Sequence, residues 1–366
     1  MKADVFERLK VVRDAAPKVA YTTGNGGHWL VFGRDELQRA LADSETFSSS
    51  CMGGIDGQGF IPLSLDPPTH APWRHLLLKH FGPAQVRTLE PFVRSWAERL
   101  IGKLEGASAC DFLKAVAEPL PVSVFMVMMG LPLGRFDEFR RLVMLMLTPP
   151  EAGDDRDAPT SALTEVAATL NALIAERRAA PRDDLISKLL AEEIDGRPLS
   201  HKELMSISLL LFVAGLDTVT NAMTYGMRHL ARDQAMQDAL RRDPGLIPAA
   251  VEKLLRLYTF VNTYRLVKRD TELDGVTLKA GEMVCCVLWG GSNDLEAEQE
   301  GPRHMGFGGG HHICLGMYLA RLELRVMYET WFQRMGRFTL APDERPAMRG
   351  GTVMNITRLM LDLEPA

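Results

Sequence analysis

Apolar residues recur at helical spacing through most of the chain. Between Pro83 and Leu104, Val86, Leu89, Phe92, Val93, Trp96 and Leu100 share one face, which predicts an amphipathic helix. Asp111 to Met129 is mostly apolar and ends at Gly130-Leu131-Pro132, a helix stop followed by a proline. Pro149 to Thr160 is rich in Pro, Gly and Asp and reads as a mobile surface loop, after which Ser161 to Ala179 returns to helix. Ser200 and Glu203 form a capping box that opens a helix expected to run to Ala231. The middle of this helix is apolar on every face, so it should cross the interior.

Strand patterns are fewer and short. His28 to Phe32 and Thr259 to Val267 are two of them. Asp274-Gly275 is a hairpin turn signal, and Met283 to Trp289 reads as an apolar strand after it. Phe338 to Leu363 alternates enough for one or two more. Strand and helix do not alternate steadily, which argues against a doubly wound sheet. The expected fold is therefore mainly α, with small β-sheets at one side. Residues 1–366 are expected to form one domain.

Composition narrows the function. Apolar residues make up 46% and charged residues 24% of the chain, a globular balance. The 42 basic and 47 acidic side chains give a net charge of −5, which argues against a nucleic-acid partner. Five cysteines in 366 residues are not a disulfide scaffold, and a reducing cytoplasm is the simplest compartment. The N-terminus has no apolar signal core, and the longest apolar runs fall short of the ~18 residues a membrane span needs.

The chemistry concentrates at Phe307-Gly308-Gly309-Gly310-His311-His312-Ile313-Cys314-Leu315-Gly316. A cysteine here follows a glycine-rich loop and precedes a helix, Met317 to Trp331. Amides of the loop and helix N-terminus favour an anion, so Cys314 should be a thiolate. Read alone, it could also be a buried structural cysteine. Zinc is a further alternative, although His-x-Cys is not the usual pair spacing and no second CxxC exists. Elsewhere, Asp217 and Thr218 sit in the most apolar helix, where a carboxylate is costly without a partner or a function.

The spacing of Phe307, Gly310, His312, Cys314 and Gly316 resembles the haem-binding loop of the cytochrome P450 family. Ala214-Gly215-Leu216-Asp217-Thr218 is similar to the family's oxygen-activating helix motif. Asp66-Pro67-Pro68-Thr69-His70-Ala71-Pro72-Trp73-Arg74 resembles its propionate-binding segment. Asn25 to Trp29, Phe47 to Ser49 and Gly215 to Val219 resemble the bacterial camphor-hydroxylase subfamily. The resemblance implies haem b (iron protoporphyrin IX), with Cys314 as the iron ligand and Phe307 shielding the sulfur. Gly308 would let the backbone approach the cofactor, and the amides near Leu315 and Gly316 would tune the charge of the sulfur. It places His70, Arg74, Arg265 and His312 at propionate positions, and leaves His311 out. It puts Ala214 and Gly215 against the haem, Gly215 removing a side chain where a ligand must fit. Asp217 and Thr218 would be the catalytic acid and alcohol.

The implied function is insertion of one oxygen atom from O2 into a small apolar substrate of terpenoid or aromatic type. The alternatives are a haem-binding homologue with impaired turnover and a peroxide-driven enzyme. Electrons would come from a separate 2Fe-2S ferredoxin with an NAD(P)H-dependent reductase. It would dock where Arg74, His75, Lys79, Arg303 and His304 give positive charge. The enzyme is expected to be a monomer that touches neither membrane nor nucleic acid. The pocket would be lined by Cys51 to Leu63, by Leu210, Val213 and Ala214, by Val261 to Tyr264 and by Thr352 to Met354. Three departures stand out. The chain starts later than is usual for the family. The stretch Asp294 to Met305 is short. Lys253 stands where the family's Glu-x-x-Arg motif has its Glu, so Glu252 is expected to pair with Arg256 instead.

Overall fold

The computed structural model describes residues 4–55, 58–147, 155, 157–294, 304–342, 348–349 and 351–365. The helices that position the site are α1 (His70–Phe81), α2 (Pro119–Met129), α3 (His201–Gly215), α4 (Thr218–Leu230), α5 (Ile247–Leu257) and α6 (Met317–Arg334). They bury two apolar clusters. Met223, Leu254, Leu324 and Trp331 join α4, α5 and α6 in one; Trp73, Leu77, Phe125 and Phe212 join α1, α2 and α3 in the other. The fold is mainly α, as the periodicity predicts.

The capping box forms in both directions. Glu203 N donates to Ser200 Oγ at 3.3 Å and Ser200 N to Glu203 Oε2 at 2.7 Å. The long helix beyond it does not run unbroken to Ala231. It breaks at Leu216-Asp217 and resumes as α4. Counted across this break, His201–Leu230 is the one helix among the described residues long and apolar enough to cross a membrane, and half of its most apolar window is buried inside the fold. Counting only consecutive apolar residues hides this, because scattered polar side chains barely lower the average hydropathy.

Two other predicted helices are also divided. Pro83–Leu104 is split into Pro83–Arg87 and Glu90–Gly102, since Pro91 has no N–H for the Arg87 carbonyl. Asp111 to Met129 begins with a short strand, Ala109–Asp111, passes through a wide helical turn at Leu113–Ala117, and becomes α2 only at Pro119. Gly130 ends α2 at φ 81°, the left-handed conformation glycine tolerates best. Most of the predicted loop after Pro149 lies outside the described residues, and the next helix starts at Ala158.

The main sheet holds β1 (Val19–Thr22), β2 (His28–Val31), β3 (Phe47–Ser48), β4 (Thr263–Val267) and β5 (Met283–Cys286), in the order β1-β2-β5-β4-β3. Only the β2–β5 pairing is parallel. The apolar stretch from Met283 is thus a strand for four residues and then a short helix, Leu288–Ser292. Asp274 and Gly275 turn the predicted hairpin at φ 50° and 72°, as a two-residue primed turn requires.

Candidate active site

The loop before α6 is wound by two glycines with positive φ, Gly308 at 74° and Gly310 at 62°. A Cβ on Gly310 would stand 2.2 Å from the Leu41 carbonyl oxygen, so that position accepts nothing larger. The Cys314 amide donates to the Phe307 carbonyl at 2.8 Å, closing the loop on itself. The Gly316 backbone N–H points at the Cys314 sulfur, and the charges of Arg74 and Arg321 also favour its anion. Burial outweighs all three and pushes the thiol above its usual value. The expected thiolate is therefore not made by the loop alone. A bound metal cation is what deprotonates such a thiol.

A second set of groups meets nearby. The rings of His70 and His312 lie 4.4 Å apart, and His311 lies 5.2 Å from His70 and 4.3 Å from His312. His70 and Arg265 are each only 2% exposed. The Nε2 atoms of His70, His311 and His312 and the Nε of Arg265 are buried without a protein partner. Arg265 spends its other end on the Thr263 hydroxyl and the Tyr264 carbonyl, at 3.3 and 2.7 Å. Burial pushes His70 down to about 4 and His312 to about 2, aided by neighbouring positive charge. His311 joins this cluster although the resemblance leaves it out. Its adjacency to His312 in a tight turn is the signal that could have found it. Asp66 approaches the same histidines but is held by the Ser48 hydroxyl at 2.6 Å and the Ser49 amide at 2.8 Å.

The break between α3 and α4 carries the third set. Thr218 Oγ1 donates to the Ala214 carbonyl at 3.1 Å. Asn221 donates through Nδ2 to the Asp217 carboxylate at 2.8 Å and to its carbonyl at 3.0 Å. Asp217 is 8% exposed, and burial pushes its carboxyl up to about 6 against the pull of Asn221. Leu211, Phe212 and Leu216 are buried, yet Ala214 between them is exposed. The helix therefore meets open space on one side at its break. Gly215 faces the other way: a Cβ there would lie 2.4 Å from the Phe125 ring. Its missing side chain admits the Phe125 ring of α2.

Several of the segments expected to line a pocket are joined by hydrogen bonds. The Ile61 amide donates to Ser206 Oγ of α3 at 2.9 Å. Val261 pairs with Val353, and the Asn262 amide donates to the Thr352 carbonyl at 2.8 Å. Tyr264 N reaches Met52 Sδ at 3.4 Å. Asn262 Oδ1 is buried with no protein partner.

Glu252 does not pair with Arg256. It accepts two bonds from Arg321 of α6, at 2.7 and 2.9 Å, and one contact from His304 at 3.1 Å. Lys253 points outward beside Met236 Sδ, as expected. His304 is only 3% exposed, and Lys79 is paired with Glu192 at 2.6 Å, so neither adds a free charge to a docking face. Arg303 lies outside the described residues. Arg321 and His304 could not be assigned by motif, because their common partner lies 69 and 52 positions away.

Comparison with known proteins agrees across the chain. The family model for cytochrome P450 matches residues 152–244 and 292–361. A probable cytochrome P450 127A1 from Sinorhizobium fredii is 32% identical over 98% of this chain and 90% of its own length. The erythromycin C-12 hydroxylase of Saccharopolyspora erythraea is 34% identical over 87% of this chain and 84% of its own. Among solved structures, CYP101J2 superposes with a TM-score of 0.88 at 32% identity, covering 99% of this chain and 94% of that one.

Proposed function

The chain belongs to the cytochrome P450 family, and from that premise we propose that it hydroxylates a small apolar substrate at the break between α3 and α4, with Cys314 as the iron ligand. The family's members are monooxygenases that use haem b. One observation carries the assignment of residues. His70 Nε2, His312 Nε2 and Arg265 Nε are buried nitrogens with no protein partner, gathered beside a cysteine that receives an amide N–H. Unmet buried polar groups are costly, each by about 1–3 kcal/mol. The two propionates of a haem would satisfy them, and its iron would take up the Cys314 sulfur. Arg74 adds positive charge felt both at His70 and at Cys314. The residues present therefore fit the group.

Bound there, haem supplies a thiolate-ligated iron that activates dioxygen. The chain's own residues do the rest. Thr218 holds its hydroxyl in the freed first turn of α4, anchored on the Ala214 carbonyl. Asp217, with a carboxyl titrating at about 6, can hold and release a proton near neutrality, and Asn221 fixes its orientation. Ala214 leaves the space open, while Phe125 closes the helix from behind. The apolar walls from α3 and β4 suit a terpenoid or aromatic compound. Asn262 Oδ1 would accept one hydrogen bond from it. We assign electron delivery to a separate 2Fe-2S ferredoxin, docking near Arg74 and His75 in the cytoplasm.

The test is a substrate-binding difference spectrum over monoterpenes, aromatics and fatty acids, followed by product assays. One assay uses ferredoxin, reductase and NADH; the other uses hydrogen peroxide alone. Product from the first and little from the second is the expected result. Product only with peroxide would overturn the dioxygen reading.

A further inference from the structure

Arg321 lies between a carboxylate and an aromatic ring. Its Nε and a terminal nitrogen clasp Glu252 at 2.7 and 2.9 Å, and its guanidinium carbon sits 4.4 Å over the centre of the Phe307 ring. Arginine suits this place because its plane can stack and fork at once, which lysine cannot do. Phe307 in turn receives the Cys314 amide on its carbonyl. One side of the guanidinium thus faces the cysteine loop and the other a carboxylate.

Glu252 is itself fixed. The Gly306 amide donates to His304 Nδ1 at 3.0 Å, so that nitrogen must present a lone pair. Nε2 then carries the ring proton and donates it to Glu252 at 3.1 Å. A doubly protonated ring could not accept from Gly306. His304 thereby donates from Nε2 and orients Glu252.

We infer that Glu252 and Arg321 are positioning residues that set the charge felt by the Cys314 sulfur, and so tune the reduction potential of the iron it binds. The inference rests on Cys314 being the iron ligand. A cation near the sulfur draws off its electron density and favours the reduced iron. The carboxylate behind Arg321 partly cancels that cation. The two residues therefore act in opposite directions, although they form one ion pair.

The opposition supplies the test. The ferric–ferrous potential is measured by spectroelectrochemical titration of the haem-loaded protein. Arg321→Gln removes the cation and leaves Glu252, so the potential becomes more negative than in the unaltered protein. Glu252→Gln leaves Arg321 uncancelled, so the potential becomes less negative. Arg321→Lys keeps the charge and stays near the starting value. A shift of both Gln variants in the same direction, as general loosening would give, overturns the inference, and so does no shift in either. Should Arg321→Gln fail to take up haem, Glu252→Gln against Arg321→Lys still decides: an unchanged potential in Glu252→Gln overturns it. Failure of the underlying reading is separate. It shows as a reduced carbon monoxide complex of the unaltered protein without the red-shifted Soret band of thiolate ligation.

Discussion

The break between α3 and α4 and the loop before α6 are both irregular, but they are held in opposite ways. At the break, the functional groups lean on their own neighbours. Thr218 bonds back to Ala214 and Asp217 to Asn221, each four residues away. At the loop, the groups lean on distant chain: Arg321 and His304 meet at Glu252, and Gly310 abuts Leu41. The first is a local defect in a helix, open on one side and cheap to move. The second is a closed frame whose parts arrive from across the fold. On the proposed reading, the first would handle protons, which tolerates a soft support, and the second would hold a sulfur against a metal, which does not.

Removing the sulfur breaks the comparison most completely. Cys314→Ser should abolish the red-shifted Soret band of the reduced carbon monoxide complex and all dioxygen-dependent product. Retention of the band would refute the ligand assignment.

Asp217→Asn should act on two observables in opposite directions. Loss of a positioned proton donor typically costs about 10²-fold or more in turnover. The same change should stabilise the fold above neutral pH. An acid whose folded value, about 6, lies above its unfolded value penalises the folded state wherever the unfolded chain would be ionised. Two units correspond to about 3 kcal/mol. The gain in thermal midpoint should therefore be full at pH 8 and fade as the pH falls below about 6 toward 4. Thermal melts across that range check it, and a gain independent of pH would contradict the buried charge.

Thr218→Ala should lower the ratio of product to NADH consumed several-fold and raise peroxide release, with substrate binding unchanged. Equal coupling in the two proteins would leave Thr218 with only its bond to Ala214.

Gly215→Ala sharpens the comparison at the smallest scale. Its methyl would collide with the Phe125 ring, an overpacking that costs about 1–3 kcal/mol. The variant Phe125→Leu should recover part of that loss in a double-mutant melt. No loss in Gly215→Ala would mean that the glycine serves the open side of the helix after all.

The same contrast explains what was legible in the sequence. The Ser200 capping box and the Asp274-Gly275 turn are local, so spacing alone located them, while Asp217 and Thr218 stood out as polar residues in the most apolar helix and by resemblance to a family motif. The helix break was not legible, because the apolar periodicity continues through Leu216 while the helix stops at Gly215 and resumes at Thr218. Glu252 was correctly singled out but given the wrong partner. A helix face identifies neighbours three or four residues away, and Arg321 comes from another helix. Cys314 was legible as a position, whereas the burial that raises its metal-free thiol depends on everything packed around it.

The unpartnered nitrogens of His70, His312 and Arg265 bear on how the protein would fare inside a cell. A ligand that binds only the folded chain stabilises it by mass action, in proportion to the logarithm of its free concentration over its dissociation constant. On the proposed reading, the ligand would also relieve buried nitrogens without a partner among the described residues. Under iron or porphyrin scarcity, newly made chains would open more often and be cleared by proteases faster. The abundance of the enzyme would then follow the supply of its cofactor, with no transcriptional regulator needed.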